Sequence, residues 1–408
     1  MYETDVDTLV IGAGPYGLSV AAHLERAGVE HKVVGRTMDF WDRKMPKRMC
    51  LRSPARASSL SDPDGALTIE AFAADRGEPL GTPVPIETFI AYGHWFAERT
   101  GVDVDPRLVA KLSIDDDGAF AATLEDGTGL RARRVVLAAG SEPFQWTPPE
   151  FRDLPASIAT HAADHDDLGV FAGKKLVILG AGQAGIEYAA IASEQGADVR
   201  VILRAPFVRW LTRSAKLHAL PSRLTNLLYA PSDVGPAGLS RIVATPDLFR
   251  TMPAAARDKA NARCTRPAAA AWLIERTSRI PIETSRRISS VAGVEGGVRI
   301  NFEGGDALEA DHLLLATGYR VNLPKYGFLA PELLAAVKTA KGFPVLHPGL
   351  RSSVPGLHMV GWPATRTYGP LMRHVVGSEY AARAVAAAIS PRAAAVGSSP
   401  AELAGVRP

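Results

Sequence analysis

Apolar and polar positions along this chain follow one order twice: a short apolar run, a glycine turn, a helical period and a second apolar run. Thr8-Leu9-Val10-Ile11 leads into a helical pattern from Gly14 to Ala27, closed by Gly28, and then into His31-Lys32-Val33-Val34. Leu176-Val177-Ile178-Leu179 opens the second round, which ends on Val199-Arg200-Val201-Ile202-Leu203. A period that switches from strand to helix and back, with a glycine just past the helix, predicts a βαβ unit in each place.

Between 39 and 85 no period persists, which predicts a long excursion rather than another sheet crossover. Residues 85–100 read as a helix with Phe89, Ile90, Tyr92, Gly93 and Phe96 as its buried stripe. Two alternating segments between Leu112 and Arg133, broken by acidic glycine turns, predict a β-meander. It feeds an unbroken apolar run, Val135 to Gly140, that suits a strand covered on both faces. A second meander, 291–310, feeds Leu313 to Tyr319 in the same way, so the two halves of the chain echo each other. Residues 143–155 read as a linker and 204–287 as the wall of an active site. A last strand (355–361) and a last helix (377–389) precede an Ala/Ser/Pro tail expected to be mobile.

The chemistry is carried by the turns. Gly12-Ala13-Gly14-Pro15-Tyr16-Gly17 and Gly180-Ala181-Gly182-Gln183-Ala184-Gly185 both have the form G-x-G-x-x-G, each between an apolar run and a helical period. The first glycine permits the tight turn, the second lets backbone approach a pyrophosphate, and the third lets helix and strand pack closely. Free N–H groups at the helix start then hold the pyrophosphate. Two such turns most simply hold two dinucleotides, and the usual chemistry between them is hydride transfer.

A carboxylate about 20 residues past the last glycine ordinarily holds a ribose 2′-OH. In the second unit Arg204 stands there, 19 residues past Gly185, with no acid nearby. A cation at that place suits the 2′-phosphate of NADPH, and Arg209 and Arg213 are candidates to add to it; a solvated strand end is the plainer alternative. In the first unit the place falls on Gly35-Arg36, which leaves the ribose to backbone groups or to Arg36.

Composition narrows the rest. The chain has 408 residues, enough for two or three domains, and its 47% hydrophobic and 22% charged content is that of an ordinary globular enzyme. A net charge of +3, scattered along the chain, implies neither nucleic acid nor a membrane surface as partner. Cys50 and Cys264 are the only cysteines and form no C-x-x-C motif, which argues against a disulfide reductase. No leader or apolar span is expected, so the cytoplasm is the expected location. No metal-ligand spacing is present; Asp164-His165-Asp166-Asp167 reads as a solvated loop, since consecutive side chains cannot all point one way. No heptad or repeat specifies an oligomeric state.

With both glycine turns, the Leu315-Ala316-Thr317-Gly318-Tyr319 element and the late Pro355-Gly356-Leu357-His358-Met359-Val360-Gly361 strand, the chain resembles the class B flavoprotein monooxygenases: flavin-containing, N-hydroxylating and Baeyer–Villiger monooxygenases. The resemblance implies an α/β fold of two Rossmann-like domains, the NADPH domain inserted into a discontinuous FAD domain. Its expected boundaries are 1–155 and 321–390 for FAD and 156–320 for NADPH, with the tail at 391–408. It implies FAD at Gly12, Gly14 and Gly17 and NADPH at Gly180, Gly182 and Gly185. It also implies that NADPH reduces FAD, O2 adds to flavin C4a, and the peroxyflavin oxygenates a small organic substrate at N, S or C. The alternative within this fold is an NADPH oxidoreductase that passes electrons to a carrier or quinone.

Two departures stand out. The F-x-G-x-x-x-H fingerprint before the second turn is degenerate, with Asp153 after Phe151 in place of glycine. In Leu51-Arg52-Ser53-Pro54, similar to the L-x-T-N segment of flavin-containing monooxygenases, Pro54 replaces the Asn, and Arg52 and Ser53 become candidates to face the flavin. Trp41 reads equally as a wall of the flavin ring or a core aromatic. The remaining candidates for cofactor contact are Pro15, Tyr16, Gly140, Gln183, Ala184, Thr317, Gly318, Gly361, Pro370 and Leu371, the last two as part of the segment 370–372, whose backbone N–H groups are expected near the flavin; Arg373 is a candidate catalytic residue.

Overall fold

The computed structural model describes residues 4–211, 230, 232, 234–236 and 238–390. Arg213 and the 391–408 tail lie outside the described residues.

Each βαβ pattern becomes the centre of a sheet. In the first, strand Thr4–Ile11 runs parallel to His31–Val34 on one side and to Gly129–Leu137 on the other. Leu9, Val10, Val33, Val135 and Val136 are wholly buried, as a strand covered on both faces requires. Each such side chain contributes about 1.5–3 kcal/mol of burial. Helix Pro15–Arg26 packs on one face against the last helix, Gly377–Ile389. Gly28, at φ +65°, ends the first helix as its position in the pattern predicted.

The excursion is a set of short helices, Asp39–Lys44, Ala55–Ala57 and Ile69–Arg76, and the crossover helix arrives only at Ile86–Thr100. It buries Phe89, Tyr92, Gly93 and Phe96 and delivers a third parallel strand, Val104–Asp105, beside His31–Val34. The first meander extends this sheet antiparallel, and strand Leu357–Met359 closes it beside Gly129–Leu137.

The second sheet is parallel throughout, in the order Ile282–Glu283, Asp198–Ile202, Lys175–Leu179, His312–Leu315, Ala159–His161. Here the echo is incomplete: the second meander forms a separate three-stranded antiparallel sheet, Ile288–Val294, Gly297–Phe302 and Ala307–Ala310. The described residues of 234–264 lie within the sequence range expected for the second domain, yet they pack on the first. Val234, Val243, Phe249 and Ala260 share a core with Tyr368 and Met372. Asp258 binds Arg366 at 3.0 Å and Lys341 at 2.8 Å. Short helices with few apolar positions of their own find their burial on the neighbouring domain.

Candidate active site

The two glycine turns share one geometry. Gly12 has φ +110° and Gly180 φ +119°; a Cβ would lie 2.4 Å from the Ala138 carbonyl oxygen in the first case and 2.6 Å from that of Ala316 in the second. A Cβ on Gly17 would lie 1.8 Å from the Gly12 oxygen, and one on Gly185 2.0 Å from the Gly180 oxygen. No side chain fits at these four positions. Gly14 and Gly182 are different, since neither is crowded by backbone.

A cleft of about 580 Å³ opens from the first turn. Gly12, Gly14, Pro15, Tyr16 and Arg36 line it, as do Trp41, Met49, Arg52, Ser53, Tyr319, Gly361, Trp362 and Arg373. Gly140 and Gln183 also face it, so the second turn meets the same space. The open room beside Gly14, at the start of a twelve-residue helix, fits a dinucleotide pyrophosphate. Gly35, at φ +127° and against Gly12, explains why no carboxylate stands there: a side chain would be strained and crowded. Arg36 is held by Glu125 at 3.7 Å.

Tyr16 sits between glycines. Its ring lies 3.8 Å from where a Gly361 Cβ would be, and its hydroxyl donates to the His374 carbonyl at 2.9 Å. Trp41 packs edge-on against Phe89 at 4.8 Å and lines the cleft. Arg52 and Ser53 are placed by backbone bonds on either side of Cys50: Leu51 N donates to Val84 O at 2.8 Å and Ile86 N to Met49 O at 2.9 Å.

Thr317, Gly318, Pro370 and Leu371 do not line the cleft. Pro370 and Leu371 are buried in the core, because this apolar turn faces inward; Arg373, His374 and Val375 line the cleft instead. Thr317 and Gly318 bind the crossing chain: the Thr317 hydroxyl donates to the Trp146 carbonyl, and Trp146 N donates to Gly318 O at 2.9 Å. Tyr319, next along, is the residue that reaches the cleft.

In the second unit Arg204 is exposed at the strand end and has no hydrogen bond or ion pair among the described residues. Ala184 continues the helix start, partly buried against the second core. Gln183 is engaged, accepting from Ala270 N at 2.9 Å and donating to Glu187 at 2.8 Å. Glu187 is wholly buried, and its other oxygen accepts from Cys50 N at 2.7 Å. This carboxyl, unnoticed in the sequence, ties the second-unit helix to the excursion that carries Arg52. Burial pushes its pKa up to about 7. A signal existed: it is the one charged residue in the otherwise apolar run Ile186 to Ala192.

The Asp164–Asp167 cluster has structural work. Asp164 accepts from His161 N at 2.9 Å, Asp167 from Gly169 N at 2.9 Å, and the Asp166 carbonyl accepts from Lys47 N at 2.9 Å. Cys50 and Cys264 both face the cleft as free thiols, and burial raises both pKa values, that of Cys50 to about 11.

Residues 6–218 match the pyridine nucleotide-disulphide oxidoreductase family, and the chain belongs to it. Indole-3-pyruvate monooxygenase YUCCA1 of Oryza sativa subsp. japonica is 26% identical over 351 residues, covering 78% of each chain. A ferredoxin–NADP reductase of Paramagnetospirillum magneticum is 33% identical over 105 residues, 25% of this chain and 30% of its own. The ornithine N-hydroxylase KtzI of Kutzneria sp. 744, solved with reduced FAD, NADP+ and L-ornithine, matches with TM-score 0.75 at 15% identity, covering 95% of this chain and 99% of its own. The last likeness concerns the fold. The resemblance to the class B flavoprotein monooxygenases is borne out by the likeness to YUCCA1, and the protein is an oxidoreductase.

Proposed function

We propose that this protein is an NADPH-dependent FAD monooxygenase that oxygenates a small organic substrate. The observation that carries the reading is that one cleft is lined by Gly12 and Gly14 of the first turn, by Trp41 and Arg52, and by Gln183 of the second turn. FAD, when bound, accepts a hydride from NADPH and supplies the site of reaction with O2. The chain's own groups do the rest. Backbone N–H groups at the start of helix Pro15–Arg26 hold one pyrophosphate, and the turn at Gly182 holds the other. Arg204, exposed and unpaired among the described residues, takes the 2′-phosphate. Trp41, Tyr319 and Trp362 wall the cleft and exclude water.

The test is a stopped-flow trace of NADPH-reduced protein mixed with O2, followed by mass analysis of products formed under labelled O2. A transient flavin absorbance band distinct from the oxidised spectrum, with label in a product, supports oxygenation. The second reading, electron transfer to a carrier, is favoured by Pro54 in place of Asn and by the likeness to ferredoxin–NADP reductase. It requires steady NADPH consumption with an added acceptor and no labelled product. A cytoplasmic location is part of the proposal, in keeping with two free thiols; no described helix is long and apolar enough to cross a membrane.

A further inference from the structure

We propose that Arg52 and Arg373 form an anion-binding pair that recognises a carboxylate on the substrate. The inference rests on the reading above only in placing a substrate in this cleft.

The two guanidinium groups come from distant parts of the chain, one on the excursion after the first βαβ unit, the other before the last helix. Both line the cleft. Arg36, which also lines the cleft, has Glu125 as partner, but Arg52 and Arg373 have no carboxylate and no hydrogen-bond acceptor among the described residues. Arg373 lies over the Trp362 ring at 3.9 Å, a face-on contact that leaves its N–H edge free for a planar anion. Arg52 has surface accessible to the cleft although protein surrounds it, and its pKa is lowered by that burial. Burial, together with the charge of Arg52, lowers the Arg373 pKa to about 10.

Two cations that share one partly enclosed space repel each other, and burial leaves Arg373 short of hydration. His374 gives no relief, since burial first, then Arg52 and Arg373, hold it neutral with a pKa of about 3. The ring of oxidised flavin is uncharged and cannot compensate them. A carboxylate accepts two parallel N–H bonds from such a group and cancels one charge.

Acetate, benzoate and phenylacetate, each against its amide, provide the probe, titrated into oxidised holoprotein and read by perturbation of the flavin spectrum. Neither NADPH nor turnover is involved, so failure of the oxygenation reading leaves this result intact. At least one carboxylate should bind tenfold or more tightly than its amide. Arg52→Gln and Arg373→Gln should each remove that preference, and Arg373→Lys, which keeps the charge, should restore part of it with flavin content unchanged. Equal binding of acid and amide, or no binding of any of the carboxylates, overturns the proposal. So does carboxylate preference retained in the glutamine variants; a shifted flavin midpoint potential beside it would assign the pair to the cofactor.

Discussion

The first and second glycine turns are nearly the same object in their outer glycines and different in the middle one. Gly12 and Gly180, like Gly17 and Gly185, are fixed by backbone that a Cβ would strike at 1.8–2.6 Å. Gly14 has nothing within 4 Å, whereas Gly182 faces Pro267 at 3.7 Å. The segment carrying Pro267 continues into Ala269–Ala270, and Ala270 is tied to Gln183. Outer glycines therefore belong to the strand–turn–helix packing and serve any ligand alike. The middle glycine and what lies over it distinguish an open turn from a covered one.

The largest effect should come from breaking the outer glycines one unit at a time. Gly17→Ala and Gly185→Ala each press a Cβ on a carbonyl within their own turn, at the upper end of the overpacking range, about 3 kcal/mol. Gly17→Ala should purify without flavin, whereas Gly185→Ala should retain flavin and lose NADPH reduction. Equal flavin loss in both would show that the units fold as one and break the comparison; flavin content and reduction rate decide.

The second effect sits between the units. Glu187 rises from an ordinary 4.5 to about 7 through burial. The folded state then holds a proton that the unfolded chain has released between these values. Stability from this group is full below about 4.5, falls as pH rises toward 7 and is level above, about 3 kcal/mol across the window. Glu187→Gln should flatten that slope in denaturant melts at pH 4.5–7. It also sets an amide N–H2 against one of two donors, from Cys50 N and Gln183, so stability at every pH should drop by about 1–3 kcal/mol. A slope unchanged in the variant would place the titration elsewhere.

These residues mark what was legible. The βαβ order, the crossover helix at 86–100 and the glycine turns are local periods, and local periods survive in the sequence. Glu187 meeting Cys50 joins positions 137 apart, and Arg52 meeting Arg373 is more distant still; such meetings depend on how the excursion folds back. The turn at 370–371 buries its apolar side chains, and loop position alone does not tell which residues of such a turn line the cleft. The second meander was legible as a meander, but a repeated pattern does not fix whether it joins a sheet or stands beside it.

Arg204 sharpens the comparison at its distal end. A charged hydrogen bond to a phosphate is worth about 1.5–3 kcal/mol, so Arg204→Ala should lower the NADPH-over-NADH preference in kcat/KM by roughly 10- to 100-fold. Flavin content should not change. A preference left intact would shift the 2′-phosphate to another cation, Arg209 first.

The smallest effect on the fold, and the sharpest on its meaning, belongs to Gly14→Ala. Gly14 caps the first helix at φ −86° and ψ −171°, a conformation open to any residue. With no neighbour within 4 Å, an added methyl should change the stability of the flavin-free protein by no more than about 0.5 kcal/mol. The same methyl would stand in the space reserved for the pyrophosphate and should weaken FAD retention. Gly182→Ala meets Pro267 at an ordinary contact distance, so it too should fold, with the loss falling on NADPH. Thermal melts of the flavin-free proteins beside FAD and NADPH affinities separate the two contributions. If Gly14→Ala binds FAD as the parent does, the open space beside Gly14 is not where the pyrophosphate lies, and the first turn would have to hold its ligand from the Gly12 side alone.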